Sequence, residues 1–315
     1  MPGNRPLTVA LLGSREIGAR LAKAGTKSDL TLYHAVQGGV AVTYVEPSLF
    51  PERLPPLLAA LSLGEQVLLA VEKIDRDLAE AVVTADLAGK EEGLLALSDT
   101  VGESEIRPLL KGTALNRYPL VPLDPREIRG RVERFESHLP EGELAIPVDH
   151  VFPVKGVGTV VLGVVRGRAV KVHERLRLYP SERSVEVRSI QVHDEDVPEA
   201  TRGERVGLAL KGVEAEEVSR GEILAPEGSL LVEDLLQVER YQPCRFFKGK
   251  AGEGDRVHVG LGLSVLPGKI REVDGDRLTL ALDKPTTHLP DERAFLVQLS
   301  GAGAGPRVAG RGFVP

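Results

Sequence analysis

Apolar and polar positions along this 315-residue chain follow two rhythms, and the change between them falls near residues 140–147. Before it, short β-like runs at 7–12, 30–35, 40–45, 66–71, 93–97 and 120–122 alternate with helix-like segments at 17–24, 54–61, 75–86 and 103–110. Strands interleaved with helices predict an α/β sheet. The exception is the pair 30–35 and 40–45, whose Gln37-Gly38-Gly39 connection is short enough only for an antiparallel hairpin. A closing helix is expected over 124–138, with Asp124 as N-cap, Pro125 at the first position and Glu127 in the first turn, stopped by Pro140 and Gly142.

From Glu143 onward the pattern is β throughout. One set of runs covers 151–154, 158–165, 169–172, 175–179, 184–192, 205–210 and a turn-rich 220–225. A second covers 235–241, 245–248, 256–259, 261–267, 269–273, 277–282 and 293–299, with Asp274-Gly275 in a turn. Short strands with frequent glycine turns predict barrels, and 226–229 reads as the linker between them. The expected order is an α/β domain over 1–142, a β-barrel over 143–228 and a second over 229–315.

Composition narrows the chemistry. Lys and Arg number 40 against 46 Asp and Glu, a net charge of −6, which argues against a uniformly basic, DNA-coating surface; any RNA contact must be local. No apolar run approaches the roughly 20 residues of a membrane span, and residues 1–5 do not read as a secretory signal, so a cytoplasmic protein is expected. Cys244 is the lone cysteine, which excludes an intramolecular disulfide and argues against a cysteine-based zinc site; no metal site is expected. Scarce Cys, Met and Asn and the absence of Trp fit a protein from a hot environment.

Gly13-Ser14-Arg15-Glu16-Ile17-Gly18 carries both glycines of a phosphate-binding loop, but Ala19 and Arg20 stand where the motif needs Lys and Ser/Thr. Without the ammonium and the hydroxyl, a triphosphate loses a cation and its magnesium ion loses a ligand. Charge-assisted hydrogen bonds of this kind contribute about 1.5–3 kcal/mol each. Arg15, Arg20, Lys23 and Lys27 are alternative phosphate partners near the first helix.

The run Val151-Phe152-Pro153-Val154-Lys155-Gly156-Val157-Gly158-Thr159-Val160-Val161-Leu162-Gly163 resembles the opening of the second domain of translational GTPases of the elongation factor Tu class. The likeness continues through Arg188-Ser189-Ile190-Gln191 and Ala209-Leu210-Lys211-Gly212, whose wording is most similar to the selenocysteine-specific branch and to initiation factor two gamma. Residues 295–299 and 305–314 are similar to the closing strands of such factors. The resemblance implies a G-domain-like α/β fold with a degenerate phosphate loop, followed by two antiparallel β-barrels. Carried back onto 1–142, it implies motifs that are missing: Tyr44-Val45-Glu46-Pro47 replaces Asp-x-x-Gly, and Ser98-Asp99-Thr100-Val101 replaces the guanine-gripping Asn-Lys-x-Asp. Neither a catalytic His nor a switch Thr is identifiable. The pattern resembles an archaeal group of elongation factor paralogues with eroded G domains.

For ligands, the resemblance implies that Gly13 and Gly18 remain only as a remnant, with GTP and magnesium not required. It puts Phe152, Gln191, His193 and Arg205 on the positions that hold the 3′ end of aminoacyl-tRNA. Phe152 offers an apolar face, Gln191 partners the terminal adenosine, and His193 with Arg205 donates to a carbonyl or an anionic group. The structural alternative is that Phe152 packs in the core and His193 caps a loop. Lys248 and Lys250 are candidate contacts to an RNA backbone. The expected function is that of a translation factor paralogue that binds tRNA or another RNA, with the ribosome as a further partner, and has lost GTP hydrolysis. The alternatives are a protein-interaction scaffold and a slow GTPase with a rearranged site. The resemblance implies a further messenger-reading domain in factors that deliver selenocysteine, and with none expected beyond Val314-Pro315 direct selenocysteine delivery is not expected.

Overall fold

The computed structural model describes residues 4–249, 251–299 and 305–315. The chain divides into two compact units, Met1–His138 with Cys244–Lys248 and Leu299–Val308, and Leu139–Pro243 with Gly249–Gln298 and Ala309–Pro315.

The first unit is built on one seven-stranded sheet of β1 (Arg5–Gly13), β2 (Lys23–Lys27), β3 (Thr31–Gln37), β4 (Val40–Glu46), β5 (Gln66–Val71), β6 (Gly93–Leu97) and β7 (Leu120–Pro122). Their order is β2-β3-β4-β1-β5-β6-β7. Neighbours from β4 to β7 run parallel, whereas β3 is antiparallel to β2 and β4. The β3–β4 hairpin turns through Gly38 and Gly39, both at positive φ as a two-residue hairpin turn demands. Every residue of β5 and β6 is buried, as expected of parallel strands covered on both faces. The covering helices are α1 (Ile17–Leu21), α2 (Pro55–Leu63), α3 (Arg76–Leu87), α4 (Glu103–Leu110) and α5 (Pro125–Val132).

Two helices are shorter than the sequence suggests. The helix expected over 17–24 stops at Leu21, because Ala22 is extended and residues 23–27, with Gly25 at their centre, pair as an edge strand with β3. The helix expected over 124–138 stops at Val132, although Asp124 caps it as foreseen by accepting from the amides of Arg126 and Glu127. Beyond it the carbonyls are taken by side chains of the sheet: the Arg5 guanidinium donates to those of Glu133 and Phe135, and Gln66 to that of Glu136.

The second unit holds two closed barrels. The first consists of β8 (Ile146–Val154), β9 (Gly158–Val164), β10 (Val170–Lys171), β11 (Arg175–Tyr179), β12 (Arg183–Val192), β13 (Glu195–Val197), β14 (Glu199–Ala200), β15 (Arg205–Lys211) and β16 (Ile223–Ala225). The circuit β11-β16-β8-β9-β15-β12 closes through the β11–β12 pairing around Val148, Val161, Leu176, Val187, Ile190 and Leu208. The second barrel has β17 (Glu233–Pro243), β18 (Arg256–Leu261), β19 (Ser264–Asp274), β20 (Arg277–Thr286), β21 (Glu292–Val297) and β22 (Val308–Val314), closed in the order β17-β20-β19-β18-β21-β22. The strand expected over 245–248 does not form, since that segment turns and belongs to the first unit. The runs 261–267 and 269–273 are one strand, β19, with the turn displaced to Gly262 at positive φ. No helix among the described residues is long and apolar enough to cross a membrane.

Candidate functional site

Gly13 ends β1 at φ +94°, where a Cβ would sit 2.1 Å from the Ala70 carbonyl oxygen of β5. Only glycine allows that approach. Only Ser14, Arg15 and Glu16 then separate β1 from α1, and two of their amides are turned inward: Ser14 donates to the Ala70 carbonyl at 2.8 Å and Glu16 to the Ser14 hydroxyl at 3.3 Å. Gly18 is buried in α1 with the Tyr33 ring packed where its Cβ would be. The loop therefore keeps both glycines for packing, while the Ser14 and Glu16 amides are already satisfied within the protein.

A cleft of about 430 Å³ lies beside this loop, lined by five carboxylates, Glu16, Glu52, Glu72, Asp75 and Asp77, against two cations, Arg15 and Lys73. Both cations are engaged. Arg15 donates to the Phe50 carbonyl at 2.6 Å and lies 3.3 Å from Glu52, and Lys73 lies 2.7 Å from Asp75. The field in such a cleft opposes a polyphosphate. Among the alternative cations, Lys23 and Lys27 lie on the edge strand β2, not at a helix N-terminus.

The end of β4, where a magnesium-holding motif would begin, carries Glu46 instead. Its buried carboxylate accepts a hydrogen bond from the Tyr33 hydroxyl at 2.9 Å. Burial raises the Glu46 pKa, against the smaller opposing effects of that hydrogen bond and of Arg15. Burial and the neighbouring Glu46 push the Tyr33 hydroxyl up to about 12. At the end of β6, where guanine would be gripped, the Ser98 and Thr100 hydroxyls bond each other at 2.8 Å. No group of three or more His, Cys, Asp or Glu among the described residues is arranged to hold a metal ion. The residues present do not fit Mg·GTP in its usual geometry.

On the first barrel, strand register gathers most of the remaining candidates. One cross-strand row runs His150, Leu162, Gly207, Gln191 and Asp196, and the next runs Phe152, Val160, Ala209 and Ser189. The alternating residues Val161, Leu208 and Ile190 fill the core, so these rows face outward. Phe152 is accordingly 37% exposed and is not a core residue. Gln191 donates to Asp196 at 3.0 Å. His193 and Asp194, both at positive φ, form the exposed two-residue turn between β12 and β13.

Arg205 shares the outward parity of Gly207 but is folded into the barrel wall, its side chain only 9% exposed against the fully buried Asp149. The pair is bidentate, with Nη2 of Arg205 2.8 Å from Oδ1 and Nη1 on Oδ2. His150 Nδ1 also meets Oδ1 of Asp149, at 2.6 Å. Burial pushes the Asp149 carboxyl up, but the Arg205 charge and the hydrogen bonds from Arg205 and His150 outweigh it and hold the pKa below the ordinary value. Sequence reasoning missed Asp149 and His150 as members of this cluster. Their signal was two ionisable residues inside the strand-like stretch Ile146-Pro147-Val148-Asp149-His150-Val151.

Lys248 is exposed in the segment Cys244–Lys248, which belongs to the first unit; Lys250 lies outside the described residues.

An α/β unit that keeps both glycines of a phosphate loop, followed by two closed barrels, is the architecture of translation factors of the elongation factor Tu and selenocysteine-specific class. Residues 158–225 match the family model for elongation factor Tu domain 2. The chain belongs to the family of an uncharacterised protein of Methanocaldococcus jannaschii, MJ0325, to which it is 34% identical over 294 residues, 92% of this chain and 94% of that protein. The selenocysteine-specific elongation factor of the same organism is 36% identical over 146 residues, 45% of this chain but only 31% of the factor. The fold matches that of translation elongation factor SelB from Methanococcus maripaludis, solved in complex with the GTP analogue GppNHp. The TM-score is 0.84 at 20% identity, over 100% of this chain and 80% of that one.

Proposed function

We propose that this chain is a cytoplasmic translation-factor relative that binds tRNA or another RNA through its barrels and works without a GTP cycle. One observation carries the second half: the cleft beside Gly13 is lined by five carboxylates and two engaged cations, and two of the loop amides are satisfied internally. The superfamily match and the outward face of the first barrel support the first half. Phe152 there offers a stacking surface and Gln191 and His193 offer polar contacts, while Arg205, paired with the buried Asp149 inside the wall, holds the strands beneath them in place. The ribosome is the natural place for such a protein to act.

Calorimetry with GTP and GDP at increasing magnesium tests the loss of the cycle, and micromolar, magnesium-dependent affinity would overturn it. Filter binding of aminoacylated tRNA tests the RNA half. Base stacking contributes about 1–3 kcal/mol, so Phe152→Ala is expected to weaken retention by about tenfold, with His193→Ala weakening it less. No retention at any salt would leave the protein-interaction scaffold as the better reading.

A further inference from the structure

The first barrel has a hollow toward the ends of β12 and β15 opposite to those that carry Gln191 and Arg205. Its volume is about 620 Å³, inside the range of roughly 300–1,000 Å³ that small-molecule sites occupy. The floor is apolar: Leu210 and Val213 belong to the barrel core, and Val157, 36% exposed, stands at the rim in the β8–β9 hairpin.

The polar groups around that floor are held by the strands. β12 bulges against β15 between Val187 and Ser189, which makes Arg188 the extra residue and re-aims its side chain. On the other side of β12, the turn before β11 fixes the bulge: the Val187 carbonyl accepts from the His173 amide at 2.7 Å, and the Val187 amide donates to the Glu174 carbonyl at 2.9 Å. Arg188 Nη1 donates to the Val157 carbonyl at 3.1 Å. The other N–H groups of Arg188 have no partner among the described residues, and neither has the Lys211 ammonium, although Lys211 stands opposite Glu186 in register.

Two of the lining carboxylates are committed. Glu186 lies 3.5 Å from Nδ1 of His173, and Glu217 lies 2.9 Å from Arg183 and accepts from the Glu214 amide at 3.0 Å. Glu214 is exposed and makes no ion pair among the described residues. Lining groups and their ion-pair partners thus set the cations Arg183, Arg188 and Lys211 against an equal number of carboxylates, Glu186, Glu214 and Glu217. A polyanion such as an RNA backbone gains nothing net from that balance. A small molecule carrying both signs gains at both ends.

We infer that this hollow binds a small zwitterion of the amino-acid or short-peptide class. The ligand carboxylate lies on Lys211 and the unused edge of the Arg188 guanidinium, its ammonium meets Glu214, and an apolar side chain covers Val157, Leu210 and Val213. The inference stands apart from the RNA reading, whose residues Phe152, Gln191 and His193 do not line the hollow.

The test is calorimetry on the full chain with leucine and with dileucine, beside leucinamide, which lacks the carboxylate, and N-acetylleucine, which lacks the ammonium. Leucine or dileucine is expected to bind with a dissociation constant of about 1 mM or below. Each blocked analogue should bind about tenfold more weakly, the loss of one charge-assisted contact. Arg188→Gln with Lys211→Gln should weaken leucine by about tenfold and cancel its preference over leucinamide, whereas Glu214→Gln should cancel its preference over N-acetylleucine. The analogue series on wild type tests the inference without any variant having to fold. Binding of leucine alone supports it with a free amino acid as the ligand, and binding of dileucine alone supports it with a peptide. No saturable binding of either, equal binding of the blocked analogues, or variants that bind as wild type does overturns it. Loss of tRNA retention in the double glutamine variant, with no leucine or dileucine bound by wild type, overturns it in favour of an RNA contact.

Discussion

Asp149 and Glu46 are both buried carboxylates, yet their surroundings drive them in opposite directions. Asp149 meets a bidentate guanidinium, so its pKa is lowered and its contribution to stability is fully present above the ordinary carboxylate pKa, then lost as pH falls through the lower folded value. Arg205→Ala would leave that charge buried without its partner, at a cost of about 3–5 kcal/mol. The double variant Arg205→Met with Asp149→Leu should lose much less, because no orphaned charge remains. Urea denaturation of both single variants and the double measures the coupling. Glu46 has only a neutral tyrosine as its hydrogen-bond donor, and its pKa is raised. Its stabilising contribution is fully present below the unfolded pKa of about 4.3 and is lost as pH rises through the folded value. Glu46→Gln keeps an acceptor for Tyr33 and removes that dependence. The variant should therefore gain stability relative to wild type between pH 4 and pH 7 in denaturation curves, and a constant difference across that range would contradict the assignment.

Among the elements, α1 differs from a working phosphate-loop helix at its C-terminal end as much as in its sequence. The helix has five residues, and Arg129 of α5 caps it by donating to the carbonyls of Arg20 and Leu21. Restoring the motif with Ala19→Lys and Arg20→Ser should consequently fail to restore Mg·GTP binding in calorimetry. The lysine would enter a loop whose Ser14 and Glu16 amides are taken and a cleft lined by five carboxylates. Strand alternation and glycine turns made the sheet, the β3–β4 hairpin and the barrel strands readable in sequence, because each buries one set of apolar positions whatever its neighbours do. The early ends of α1 and α5 were not readable, since they depend on the β3 partner of residues 23–27 and on Arg5 and Gln66, far away in the chain. The acidic cleft was likewise hidden: its carboxylates are scattered from Glu16 to Asp77 and converge only in the folded sheet. Missing Lys and Ser/Thr positions announced a defective site, but only the fold shows that the space is also electronegative.

At the scale of the whole molecule, a nucleotide can shift a conformational equilibrium only by the difference in its affinity for the two states. A chain that binds neither GTP nor GDP has no such lever, so its RNA affinity should be set by salt and by the barrel residues and should not change with nucleotide. The same linkage governs stability. A site with a dissociation constant of about 10 µM would be stabilised by about 2.7 kcal/mol at a hundredfold excess of ligand. For a unit of this size that corresponds to a rise in melting temperature of about 5–10 °C. Differential scanning fluorimetry with and without millimolar Mg·GTP is expected to show no movement of the first unit's transition, while tRNA moves the transition of the unit that holds the barrels. If Mg·GTP instead raises the first unit's melting temperature by several degrees, the carboxylates around Gly13 must rearrange on binding, and the protein cycles on nucleotide after all.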